Sequence, residues 1–176
     1  TTNVVAKNIT LAIGEREGEG TGFFSPAGIA YNSDNDNLYV TNRGSDTISV
    51  INGTTNELVD EISLNAIAPS GIVYNAANNY IYVTNMGSNT VSVINGTTNT
   101  VVANIPVGLG PNGIAFNQNN GDVYVANSVN ETISIVDGLG NTVISNIPLG
   151  NNNNPNDISY DINNNRLFIT NTNSST

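Results

Sequence analysis

Four copies of one short pattern, spaced about forty residues apart, constrain this chain more than any other feature. The pattern is an aromatic residue, a β-branched residue, a small residue and an Asn, and successive copies lie 43, 42 and 44 positions apart, ending at Asn42, Asn85, Asn127 and Asn171. A second marker keeps the same phase, because a Pro precedes the first apolar stretch of each unit. A period near forty with several strands per unit is typical of β-propellers.

Each repeat contains four short stretches with the two-residue alternation of β-strands. In the first full repeat they cover residues 28–32, 38–42, 47–51 and 58–64. Asn, Asp and Gly fill the connections, and these residues tolerate positive φ and bond their own backbone. The sequence therefore predicts an all-β fold of four-stranded antiparallel propeller blades, with a repeat of about 42–44 residues.

The phase of the repeat also predicts how the 176 residues divide. We expect a single β-propeller domain or propeller fragment with three complete blades, at about 27–65, 70–107 and 112–148. A fourth, incomplete blade combines residues 1–12 with residues 156–176 and lacks one strand. Two explanations stay open: the chain is an excerpt of a longer propeller, or a neighbouring chain supplies the missing strand by β-augmentation.

Composition narrows the function classes. The chain has no Cys and no His, so it lacks thiolate ligands, disulfides, the commonest general base and the commonest metal ligand. Four Lys and Arg stand against fourteen Asp and Glu, a net charge of −10, which argues against binding to a nucleic-acid backbone. No apolar run reaches membrane-spanning length. We expect no nucleic-acid partner, no membrane insertion in this segment, and no cofactor other than a calcium ion.

One segment breaks the repeat by lengthening a connection between blades. Residues 14–22 are acidic and rich in Gly. Glu15, Glu17 and Glu19 would offer the oxygen ligands that calcium prefers, and we name them as the candidate metal site. A solvated loop without a ligand is the alternative. No residue is predicted to be catalytic or to bind another cofactor.

The repeated Asn residues and five sequons are further candidates for a role. We expect the Asn that ends each pattern to cap its turn through side-chain-to-backbone hydrogen bonds, rather than to join a ring of ligands. The sequons are candidate glycosylation sites if the protein is exported, and they begin at Asn8, Asn52, Asn95, Asn130 and Asn173.

Two long segments carry a family resemblance. Residues 39–56 and 82–99 both read Tyr-Val-Thr-Asn-X-Gly-Ser-X-Thr-Ile/Val-Ser-Val-Ile-Asn-Gly-Thr-Thr-Asn. They resemble the YVTN-family β-propeller repeat of archaeal surface-layer proteins and related secreted bacterial proteins. The third and fourth copies depart from it at Ala126 and Phe168. The resemblance implies a propeller of about seven blades and an extracellular or cell-surface location.

From these observations we expect a non-catalytic extracellular or cell-surface propeller that acts as a scaffold, an adhesion surface or a protein- or glycan-binding surface. Its partners would be a protein, a glycan or copies of itself. One alternative is a subunit of an extracellular filament or lattice assembled by strand complementation. The other is a fragment of a lactonase- or lyase-like propeller enzyme with its active site outside this segment. Because His and Cys are absent, we expect that the chain is not an enzyme.

Overall fold

The computed structural model describes residues 25–172, which form β-strands and the connections between them. None of these residues belongs to a helix, so no described helix could cross a membrane. The strands are β1 Pro26–Asn32, β2 Asn37–Asn42, β3 Thr47–Asn52, β4 Leu58–Ser63, β5 Pro69–Asn75, β6 Tyr80–Asn85, β7 Thr90–Asn95, β8 Thr100–Pro106, β9 Pro111–Phe116, β10 Asp122–Asn127, β11 Thr132–Asp137, β12 Thr142–Pro148, β13 Pro155–Asp161 and β14 Arg166–Asn171.

The strands pair as successive antiparallel sheets. Strands β1–β4, β5–β8 and β9–β12 each form a four-stranded sheet in chain order, and β13 pairs with β14. The first strands of neighbouring sheets lie side by side. This is the arrangement of propeller blades, in which the first strand is innermost. The predicted all-β fold of four-stranded antiparallel blades is therefore confirmed, with three complete blades and two strands of a fourth in the described part.

The turns explain why such short strands form. Most hairpin connections end on a residue in the left-handed region, and its φ lies between +52° and +58°. Asn and Asp visit this region more readily than other residues with a Cβ. The residues are Asp36, Asp46, Asn56, Asn79, Asn89, Asn99, Glu131, Asn141 and Asn165.

The hydrophobic core lies between the blades rather than within one of them. Three buried clusters fill the spaces between successive sheets. In the first cluster, Tyr39 and Ile48 of one blade pack with Ile81 and Val83 of the next. Each blade therefore needs a neighbour on both faces to bury its apolar side chains.

The Tyr of the repeated pattern joins its blade to the next. Tyr82 is fully buried, and its hydroxyl lies 2.9 Å from two acceptors, Asn141 Oδ1 and the Gly138 carbonyl oxygen, to which it donates its proton. Both acceptors belong to the turn between β11 and β12. Tyr39 reaches the Asn99 side chain in the same way, at 2.7 Å. Burial raises the pKa of the Tyr82 phenol, which keeps it a hydrogen-bond donor. Phe168 has no hydroxyl for this bond.

The Thr of the pattern makes a second link between blades. Thr84 Oγ1 accepts a hydrogen bond from the Gly71 amide at 2.8 Å and donates to the Asn112 carbonyl oxygen of the next blade at 2.7 Å. Thr41 repeats both bonds one blade earlier. Position 126 is Ala, so the third blade cannot make this link to the fourth.

The Asn that ends the pattern joins two strands of its own blade. Asn42 Nδ2 donates to Thr47 Oγ1 at 3.2 Å and to Ser49 Oγ at 2.9 Å on β3, and Asn85 and Asn127 repeat the arrangement. The amide thus bonds side chains rather than the backbone groups that we expected. The reason is that the alternation of β3 places two hydroxyls on the face that the Asn side chain occupies.

Candidate channel site

The inner strands of four blades line a groove with a volume of about 330 Å³. The groove is formed by residues 27–29, 70–72, 112–114, 156 and 157, which occupy the same register in each blade, and we call it the channel groove. The first strand of a propeller blade faces the central channel. A ligand in this channel would therefore contact these residues.

A directed row of hydrogen bonds crosses the channel groove. Ser70 Oγ donates to Asn112 Oδ1, and Asn112 Nδ2 donates to Asn156 Oδ1 at 2.6 Å. Ala27, at the start of the row, has no polar group to contribute. Within residues 25–172, Asn156 Nδ2 has no acceptor. Asn156 is thus the last member of the row in the described part of the chain.

One charged residue interrupts the repeat in this groove. Gly28, Gly71 and Gly113 hold the same register position in the first three blades, and Asp157 holds it in the fourth. The Asp157 side chain is exposed, and its Oδ1 accepts a hydrogen bond from the Ile158 amide at 2.8 Å. Asp157 follows Asn156 directly in the chain.

Close contact between blades explains why the other three positions are Gly. A Cβ on Gly28 would lie 2.7 Å from the Ser70 carbonyl oxygen, and one on Gly113 would lie 2.5 Å from Asp157 Cα. The Asp157 amide donates to Thr170 Oγ1 at 3.0 Å, the bond that Gly28 makes to Thr41. By this equivalence, the Asp157 Cβ points to where the next inner strand would pack.

The groove offers neutral hydrogen-bonding groups and one carboxylate. Such a site can hold a ligand by its hydroxyl or carbonyl oxygens, and the carboxylate can accept a proton from water. Within residues 25–172, no group of three or more Asp, Glu, His or Cys side chains could hold a metal ion.

Three carboxyl groups with shifted pKa values lie outside the groove. A hydrogen bond from the Asn164 side chain lowers the pKa of Asp161. Hydrogen bonds from Thr54 and Tyr31 lower the pKa of Asp36. Burial, and then the charge of Asp137, raise the pKa of Asp122. Asp122 and Asp137 are directly opposite each other on β10 and β11.

The residues named from the sequence do not gather at this groove. Asn52 and Asn95 end β3 and β7, and the Oδ1 atom of each accepts backbone bonds from its own turn, as from Thr54 at 3.0 Å and Thr97 at 2.8 Å. Asn130 is exposed in the turn before β11. The candidate calcium ligands and two sequons lie outside the described residues: Glu15, Glu17, Glu19, Asn8 and Asn173.

None of the polar groove residues is among the site residues predicted from the sequence. A usable signal was present, because aligning the repeats places Asp157 where three Gly residues stand. The hydrogen-bond row gave no such signal, since its members are separated by more than forty residues and differ in type.

The fold and the groove define the class of this protein: a β-propeller with a polar channel wall. Residues 7–102, more than half of the chain, match the family described as a lactonase with a seven-bladed β-propeller. The chain belongs to this family. No curated protein sequence matches the chain.

Solved structures share the fold. Hydrazine synthase from Kuenenia stuttgartiensis has a TM-score of 0.78 and 21% sequence identity, and the match covers 89% of this chain and 45% of that one. A streptogramin B lyase has a TM-score of 0.74 and 18% identity, covering 87% of this chain and 50% of that one. The chain thus spans about half the length of the solved structures that it matches.

The family corrects one expectation. We expected that the chain is not an enzyme, and this was wrong, because its family is one of lactonases. The expectation rested on the absence of His and Cys. Carboxylates and amides can carry proton transfer and charge stabilisation without either residue. The relationship to archaeal surface-layer proteins stays a prediction.

Proposed function

We propose that the protein acts as a propeller enzyme that opens a cyclic ester by hydrolysis, with the channel groove as one wall of its substrate site. The observation that carries the proposal is the match of residues 7–102 to the seven-bladed lactonase family. Part of the active site then lies within this segment, and not wholly outside it as the enzyme alternative expected.

The chemistry of the groove supports this choice. A lactone presents a carbonyl oxygen and a ring oxygen, both hydrogen-bond acceptors, and the side-chain amide of Asn156, which lines the groove, is a hydrogen-bond donor. Ser70 and Asn112 hold that amide in place through their hydrogen bonds. Ring opening consumes water and needs no redox cofactor.

The test is a hydrolysis assay on the full-length protein that contains this chain. Unsubstituted and hydroxylated γ- and δ-lactones are supplied at millimolar concentration, and acid release is followed in a pH-stat. We expect saturable hydrolysis of at least one lactone, above the rate for its open-chain ethyl ester. Rates equal to the uncatalysed reaction for every lactone would contradict the proposal.

A matched pair of variants tests whether the groove holds the substrate. Ser70→Leu places an apolar side chain in the groove, and we expect KM to rise at least tenfold. Ser63→Leu makes the same exchange at an exposed position at the end of β4, and we expect it to leave KM unchanged. Equal KM values for the two variants would place the substrate elsewhere.

We further propose an extracellular or cell-surface location. It is supported by the YVTN resemblance and by sequons that fall on turns. Peptide mass spectrometry of native material should find glycan on Asn52 or Asn95. Unmodified Asn at both positions would count against export through a glycosylating pathway.

A further inference from the structure

We propose that exposed apolar residues at the mouth of the channel select lactones that carry an alkyl substituent on the ring. The residues are Ile67, Leu109 and Val129, and we call them the apolar rim. This inference rests on the proposed function, because it names the substrate class of that hydrolysis. It goes beyond the function by assigning the residues that determine specificity.

The first argument is the position of the apolar rim. Ile67 and Leu109 each lie two residues before the Pro that begins an inner strand, Pro69 of β5 and Pro111 of β9. Residues that lead directly into an innermost strand lie at the mouth of the central channel. The two connections run side by side, because β5 and β9 are neighbouring inner strands. Val129 adjoins them, since its amide donates to the Leu109 carbonyl oxygen at 3.1 Å.

The second argument is the exposure of the three side chains. Ile67 is 60% exposed, Leu109 49% and Val129 65%. Ile67 lies between the first and second blades, Leu109 lies between the second and third, and Val129 lies in a turn of the third. The blades on both sides of these connections are described, so their exposure differs from that of Ile29 on the first blade. Apolar side chains grouped at a channel mouth mark a binding surface.

The third argument is that the backbone of the apolar rim is fixed. The Ile67 amide donates to Ser88 Oγ at 2.7 Å, and the Leu109 amide donates to Asn130 Oδ1 at 3.1 Å. Ala68, the residue after Ile67, is held at φ +56°, which is rare for a residue with a Cβ, and such conformations cluster at functional sites. A surface on a fixed backbone loses little conformational entropy when a ligand binds.

Charge favours a neutral alkyl substituent over an anionic one. The chain has a net charge of −10, and no Lys or Arg within residues 25–172 lines the channel groove that the rim adjoins. Arg43 lies at this end of the first blade, but its guanidinium contacts the Met86 sulfur, at 3.2 Å. An anionic substituent would therefore be repelled, whereas an alkyl chain needs no charged partner. With the lactone ring at the groove, the alkyl chain would lie across the rim.

The test is a chain-length series with the full-length protein that contains this chain. The substrates are γ-lactones whose ring substituent grows from hydrogen to hexyl, from γ-butyrolactone to γ-decalactone, and acid release is followed in a pH-stat. We expect KM to fall about threefold for each added methylene, because each one leaves water for the rim, until the chain is longer than the rim.

Single Ser variants of the rim test which residues cause this dependence. In Ile67→Ser and in Leu109→Ser, we expect KM for γ-decalactone to rise about tenfold and KM for γ-butyrolactone to stay the same, because only the longer substrate reaches the rim. Thermal unfolding of each variant separates loss of binding from loss of folding. The matched control is Leu139→Ser, at a residue that is 82% exposed in the turn between β11 and β12, at the other end of the blade. It should leave both KM values unchanged.

The outcomes distinguish the apolar rim from the proposed function. Lactone hydrolysis with a KM that does not depend on chain length, or with a dependence that both rim variants keep, would overturn the rim and leave the proposed function standing. A lower KM for a carboxylated lactone than for its alkyl analogue would do the same. So would rim variants that change only the mass measured by light scattering, because the rim would then be an interface between copies of the protein. A wild type that hydrolyses no lactone would overturn both.

Discussion

At the scale of single residues, Asp122 and Asp137 show how one blade departs from the pattern of another. They are direct neighbours across β10 and β11, whereas the first blade pairs Asn37 with Asn52 at the same position. Like charges opposite each other destabilise a strand pair. Burial and the neighbouring charge raise the pKa of Asp122 above its ordinary value of 3.8.

We expect Asp122→Asn to stabilise the protein at pH 7 by about 0.2–1 kcal/mol. Because the pKa of Asp122 is raised in the folded state, the folded protein binds the Asp122 proton more tightly than the unfolded protein does. The loss of stability caused by the Asp122 charge is therefore complete above the folded-state pKa. It disappears as the pH falls through the folded pKa toward 3.8. Urea unfolding of both proteins at pH 7 and below pH 3.8 tests this.

A matched control separates the effect of the Asp122–Asp137 pair on stability from the effect of a change in net charge. Glu61→Gln removes a charge that faces solvent and should change stability less than Asp122→Asn. A stability difference between Asp122→Asn and the wild type that is the same at both pH values would contradict the electrostatic explanation.

At the scale of elements, the strands were predictable and the links between blades were not. Alternation, Asn-rich turns and the period of the repeat are local signals, and they located the strands of the first blade to within two residues. The Thr84 link depends on an approach between blades that no local pattern encodes. The sequence showed Thr84 and Ala126 at equivalent positions but not that one makes a bond the other lacks.

The channel groove was hidden for the same reason. Ser70, Asn112 and Asn156 lie on three different blades and meet only because their inner strands are neighbours. The exchange of Gly for Asp157 was visible in the aligned repeats. Its meaning became clear only when the Gly residues proved to sit against backbone atoms of the next blade.

The hydrogen-bond link between blades can be tested by removing it at Thr84 and by adding it at Ala126. Thr84→Val keeps the shape of the side chain but leaves the part-buried Asn112 carbonyl and Gly71 amide without their partner. We expect a loss of about 1–3 kcal/mol of unfolding free energy. Ala126→Thr supplies the missing hydroxyl and should add about 0.5–1.5 kcal/mol.

Urea unfolding measures both changes. Thr84→Ser, which keeps the hydroxyl, should lose less stability than Thr84→Val. If Thr84→Ser loses more stability than Thr84→Val, the methyl contact rather than the hydrogen bond would hold the blades together.

At the scale of the whole molecule, apolar side chains are exposed on the first and the fourth of the described blades. Ile29 on β1 is 63% exposed, whereas Ile114, at the same register on β9, is 8% exposed because the preceding blade covers it. At the other end, Phe168 is 59% exposed. A propeller closes by burying such faces against further blades.

Ile→Ala substitutions at two positions test whether the face of the first blade that carries Ile29 is covered in the 176-residue chain. Ile114→Ala removes buried methyl groups and should cost about 2–4 kcal/mol of unfolding free energy, measured in urea. Ile29→Ala should cost less than about 0.5 kcal/mol, because its side chain already contacts solvent. An equal cost at both positions would mean that another part of the protein, or a second molecule, packs on this face. In a longer protein that carries a blade before β1, the cost at Ile29 should rise toward that at Ile114, since the cores of this fold lie between blades.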